Sequence, residues 1–81
     1  MYMESKPLRE VRRRNLFSID ALAREAKVST KTIVDIEHGR QSPRLGTMRK
    51  ISDALKVDPF GIREFAEAIE EGQSLGELVA A

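Results

Sequence analysis

Between Ser18 and Gly39 the chain has room for two short helices joined by almost nothing, and that restriction governs what the rest can be. Ser18 and Ser29 both carry the short hydroxyl side chain that accepts a hydrogen bond from an orphan N–H of a first helical turn. After Ser18, residues 19–26 place Asp20 in the positive first turn and Leu22, Ala23 and Ala26 on one face. Only Lys27 and Val28 separate that run from Ser29. The next helix, residues 30–38, therefore follows a tight turn, and Gly39 stands where a left-handed residue ends a helix without steric cost.

The flanking segments read as helices too. Residues 6–15 set Leu8 and Val11 at i, i+3, with Pro7 in a first turn where its missing N–H is no loss. After the loop RQSPR, broken by Pro43, residues 45–55 bury Leu45, Met48, Ile51, Ala54 and Leu55. Asp58 and Pro59 suit an N-cap and first position of a fifth helix, whose Ile62, Phe65 and Ile69 form one stripe as far as Gly72. Ser74 and Glu77 have capping-box spacing before Leu78 and Val79, so a last turn is expected there. No stretch alternates as a strand does, and Ala, Leu, Glu, Arg and Lys dominate. The expected fold is all-α with five helices: a domain over residues 1–72 and a short C-terminal extension over 73–81.

Composition narrows the function. Eighty-one residues, 41% hydrophobic, make one small domain with a modest core and no room for a ligand pocket of ordinary size. With no cysteine and one histidine, His38, neither a disulfide framework nor a metal site is expected, and no cofactor is implied. No paired carboxylates or phosphate-cradling glycine loop point to an enzyme or to a small-molecule substrate. No apolar run is long enough to span a bilayer, and the start lacks the apolar stretch of a signal peptide, so a cytoplasmic protein without membrane contact is expected. The net charge of +1 hides an asymmetry: residues 1–50 hold 12 Lys/Arg against 6 Asp/Glu, and residues 51–81 hold 2 against 7. The first part suits a polyanion, although a run such as Arg12, Arg13, Arg14 also reads as a solvated helix face.

The stretch SIDALAREAKVSTKTIVDIEHG is a helix-turn-helix pattern, and it resembles the Cro and lambda-repressor-like family of bacterial and phage transcription regulators. The resemblance covers about residues 8–65. Upstream, LREVRRRNLFS is similar to the family's first helix and the apolar residue before the second-helix cap; downstream, SPRLGTMRKISDALKVD is similar to its Ser-Pro loop, fourth helix and exit. This implies a five-helix DNA-binding domain in which residues 30–38 lie in the major groove of double-stranded DNA.

On such a helix, steps of about 100° put Thr32, Ile33 and Ile36 on the inner side and Lys31, Val34, Asp35 and His38 on the other, with Thr30 at the margin. Thr30, Lys31, Val34 and Asp35 are the expected base contacts: Lys31 can donate to guanine O6 or N7, Val34 can pack on a thymine methyl, and Asp35 can accept from cytosine N4 or orient Lys31. Simple exposed polarity is the bland alternative for each. Ser18, Ser29, His38, Arg40 and Arg44 are the expected phosphate contacts, beside the N–H groups at helix starts; a neutral His38 imidazole can make such a contact, and a lone surface histidine that contacts nothing is the alternative. The resemblance further implies that Arg12 and Glu37 form a buried ion pair between the first and third helices; DNA contact by Arg12 is the alternative. Where the family usually has glutamine after the second-helix cap, this chain has Ile19, which offers no hydrogen bond. Leu16, Lys27 and Lys56 stand where the family often has glycine at helix exits; if left-handed, each carries roughly 1 kcal/mol of strain.

One such unit reads about one half-site, so a homodimer on a palindromic operator is expected, with Ile62, Phe65, Ile69, Leu75 and Leu78 as its interface. Folding of that stripe over the chain's own core is the alternative. The expected function is sequence-specific transcription regulation, most simply repression, by a cytoplasmic protein held on the nucleoid when bound to DNA. The competing class is a protein-binding, coactivator-like adaptor with weak DNA affinity.

Overall fold

The computed structural model describes residues 5–70. The elements are α1 (Leu8–Arg14), α2 (Ile19–Ala26), α3 (Thr30–Glu37), α4 (Leu45–Leu55), a single 3₁₀ turn (Pro59–Gly61) and α5 (Arg63–Glu70). No strand occurs among the described residues; the one extended pairing is an isolated parallel bridge between Lys6 and Ile62. The expected turn at Ser74 and Glu77 lies outside the described residues.

Local chemistry sets most of the boundaries. Ser18 Oγ accepts from the Ala21 N–H at 3.0 Å and Ser29 Oγ from the Thr32 N–H at 3.0 Å, so both helices of the central pair begin where their serines cap them. Lys27 and Lys56 end α2 and α4 in the left-handed region, at φ 60° and 58°, and Leu16 does the same after α1 at φ 63°. A side chain at each of these sites meets its own backbone, which costs on the order of 1 kcal/mol relative to glycine. Gly39, at φ 70°, makes the same turn after α3 without that cost.

Two starts depart from expectation, for one non-local reason. Lys6 is extended, as a residue before proline prefers to be, and α1 begins at Leu8 with Pro7 in the cap position. The Lys6 N–H donates to the Gly61 carbonyl at 2.9 Å, and the Arg63 N–H donates to the Lys6 carbonyl at 2.7 Å. That pairing holds Ile62 extended, at φ −105° and ψ 120°, so Asp58 and Pro59 open only the 3₁₀ turn and α5 starts after it. Proline cannot cap α1 with a side chain; Glu64 of α5 does so instead, accepting from the Leu8 N–H at 2.8 Å.

The core is built from Leu8 and Val11 of α1, Leu22, Ala23 and Ala26 of α2, Ile33 and Ile36 of α3, Met48, Ile51 and Leu55 of α4, and Ile62, Phe65 and Ala68 around α5. Burying each of the large side chains is worth roughly 1.5–3 kcal/mol. α2 is the central strut, packed on both α3 and α4, and α1 lies against α3. The expected dimer stripe is corrected here: Ile62 and Phe65 are fully buried in the core of their own chain, because the bridge to Lys6 draws the start of α5 against α1. Ile69 is half-buried against the same core. Leu75 and Leu78 lie outside the described residues.

Candidate nucleic-acid interface

α3 presents less of itself to solvent than a free helix does. Ile33 and Ile36 are buried, Thr32 is half-buried with its hydroxyl 2.8 Å from that of Ser29, and Val34 is half-buried. Thr30 and Lys31, in the first turn, are exposed. Asp35, expected on the outer side, is only 7% exposed. The outward surface of α3 is thus concentrated at its N-terminal end, with Val34 at the edge.

Asp35 sits between two cations. Its Oδ2 lies 2.7 Å from Lys31 Nζ and its Oδ1 3.6 Å from Arg40 Nη1, while its carbonyl accepts from the Arg40 N–H at 2.8 Å. The Lys31 hydrogen bond is the chief reason that its carboxyl is held below the usual carboxylate value; burial opposes this, and the charges of Lys31 and Arg40 assist. Asp35 therefore stays ionised at neutral pH and steadies a lysine whose own side chain is 82% exposed. The i, i+4 spacing that makes this pair is visible in the sequence; the burial of its acid is not.

Arg12 and Glu37 meet as a bidentate pair, with Nε to Oε2 at 2.7 Å and Nη2 to Oε1 at 3.2 Å. The third arm of the guanidinium, Nη1, donates to the Phe17 carbonyl at 2.9 Å. Only 9% and 4% of the two side chains remain exposed. One arginine thereby ties together α1, the turn into α2 and the end of α3. It fixes the angle at which α3 is offered.

The residues expected to touch phosphate surround this face. Ser18 and Ser29 are exposed, at the starts of α2 and α3, with their hydroxyls engaged as caps. Arg40 and Arg44 are exposed, and Arg44 occupies the cap position of α4 without a side-chain cap bond. His38, exposed at the end of α3, holds its Nδ1 2.9 Å from the Val34 carbonyl. Ile19 is half-buried and packs against the core. In the sequence Arg9 has no expected role and Arg13 stands in a run that also reads as a solvated face; both share a hollow with Arg12, Ile19, Glu37 and His38. Their i, i+4 spacing on α1 was the available signal.

Among the described residues no group of three or more His, Asp or Glu could hold a metal ion, and no helix is long and apolar enough to cross a membrane. Compared with known proteins, the chain matches the family model described as helix-turn-helix over residues 8–62, from the start of α1 through the 3₁₀ turn and more than half of its length. No curated protein and no solved structure matches it.

Proposed function

Because the chain belongs to the Cro/C1-type helix-turn-helix family of DNA-binding transcription regulators, we propose that it is a repressor that reads a palindromic operator as a homodimer. The observation that carries this reading is the exposed first turn of α3, where Thr30 and Lys31 stand clear on a helix whose angle the Arg12–Glu37 pair fixes. Lys31 donates to guanine O6 or N7, Thr30 bonds a base edge or phosphate, and Val34 packs at a thymine methyl. Asp35, enclosed and held by Lys31 and Arg40, serves by orienting Lys31. Ser18, Ser29, Arg40, Arg44 and His38 position the domain on the backbone, and their contacts carry no base preference.

One helix-turn-helix unit reads one half-site, so the reading takes two copies on half-sites one helical turn, roughly 34–36 Å, apart. Of the five residues expected at the contact between copies, Ile62 and Phe65 are committed to the core, which leaves Ile69 and, beyond the described residues, Leu75 and Leu78. Occlusion of a promoter is the simplest output of a domain that binds DNA.

The test is selection of bound fragments from native genomic DNA, then an anisotropy titration of the best fragment at two salt concentrations. The expected result is an enriched palindrome bound with steep salt dependence. Weak, salt-insensitive binding without enrichment overturns the reading in favour of a protein-binding adaptor.

A further inference from the structure

The hollow between α1 and the adjoining ends of α2 and α3 has a floor and two rims. Arg12 and Glu37 form the floor and satisfy one another. On one rim stand Arg9 and Arg13, one turn apart on α1 and both exposed. Their neighbour Arg14 is paired with Glu10 at 3.3 Å, whereas Arg9 and Arg13 make no ion pair among the described residues. On the other rim stands His38.

The hydrogen bond at His38 decides what that ring can do. A carbonyl oxygen only accepts, so the contact between Nδ1 and the Val34 carbonyl places the proton on Nδ1. In the neutral ring Nε2 is then a bare lone pair. A phosphodiester offers acceptors alone, so neutral His38 has no proton for it, contrary to the expectation that a neutral imidazole would serve. The imidazolium keeps the bond to Val34 and gains an Nε2–H donor.

We propose, building on the DNA-binding reading above, that this hollow takes one phosphate of the DNA backbone, held between Arg9 and Arg13 of α1 and the protonated ring of His38. Binding then draws one proton from solvent onto Nε2. The groups facing the ring are Arg9, Arg12 and Arg13 from α1, Ile19 from α2 and Glu37 from α3, with Glu37 already neutralised by Arg12. A phosphate between the guanidinium groups accepts the Nε2–H that only the imidazolium carries. Protonation and binding are therefore coupled through a single anion.

The test uses the full chain and a mixed-sequence duplex, titrated by anisotropy at constant ionic strength from about pH 7.5 to about pH 5.5, the span in which imidazoles take up protons. Affinity is expected to rise about three- to tenfold as pH falls, His38→Gln to flatten the profile, and His38→Arg to hold it flat at the level reached in acid. The double variant Arg9→Gln/Arg13→Gln is expected to lower the salt slope by about one unit, the share of the single phosphate held there, and to remove most of the pH dependence. Salt-sensitive binding that is independent of pH, or a pH dependence that persists in His38→Gln, overturns this proposal and leaves the DNA reading standing. Absence of salt-sensitive binding at every pH overturns both. In a parallel NMR titration, the His38 ring signals are expected to move with the duplex and to stay put with inorganic phosphate at the same phosphate concentration; an equal response to both reassigns the hollow to free anions.

Discussion

Two carboxylates two residues apart on α3 meet their cations in opposite settings. Glu37 is gripped on both oxygens by an arginine as dry as itself, whereas Asp35, nearly as enclosed, is held by a lysine and an arginine that remain largely in water. A pair with both members buried has no alternative partner, so its geometry is fixed and losing one member strands the other. A pair whose cation is solvated exchanges partners at little cost. The end of α3 is therefore bolted to α1, while its first turn keeps a mobile cation available for a new acceptor.

The largest test of this contrast is Arg12→Ala. It leaves Glu37 as an uncompensated buried charge and removes the donor to the Phe17 carbonyl, so urea unfolding should show a loss of about 3–5 kcal/mol. Replacing both partners by apolar residues, Arg12→Met with Glu37→Leu, should restore much of that stability. A loss below about 1 kcal/mol in the single variant would break the contrast at its buried end.

Lys31→Ala tests the other end. Its folding stability should stay within about 0.5 kcal/mol of the parent, while discrimination at one base of each half-site falls by about 1–3 kcal/mol, read by titrating the selected operator against single-base variants. An unchanged base preference would make Lys31 a surface cation and nothing more. Arg40→Ala sharpens the comparison, because Arg40 contacts the same carboxylate at the longer distance of 3.6 Å. It should weaken all sequences alike and lower the salt slope by about one unit. Identical behaviour of the two variants would remove the division between reading and positioning.

How much of this was legible in the sequence follows the range of the forces involved. α2 and α4 run over the residues expected of them, because hydroxyl caps and a 3.6-residue apolar period are local properties. The start of α5 was not legible, since it is set by hydrogen bonds between Lys6 and residues 61 and 63, far away in sequence. Ile62, Phe65 and Ile69 form the amphipathic stripe that the period predicts, but Ile62 and Phe65 are covered by the chain's own core, the alternative to a subunit contact. Such a pattern says that a face is covered without saying by what, and Phe65→Asp should now unfold the domain where a subunit contact would merely have come apart. Arg12 and Glu37 were placed together by resemblance, an inference that periodicity alone does not supply. A helical projection puts Asp35 on the outer side because it takes no account of the Lys31 and Arg40 side chains that meet its carboxylate.

The smallest effect concerns that same Asp35 and separates it from its neighbour by pH. A carboxyl whose folded value lies below the ordinary 3.8 contributes stability that is fully present above that value and is lost as pH falls through the lower, folded one. Compared with Asp35→Asn, the parent should therefore hold a constant advantage above about pH 5, which shrinks as pH drops below 3.8 and disappears in stronger acid. Because the Lys31 hydrogen bond is the leading cause of the shift, Lys31→Ala should move that loss toward higher pH, whereas Arg40→Ala should move it less. Equal movement in both variants would mean that Asp35 senses the summed positive field of the face, and its tie to Lys31 would then hold no special rank.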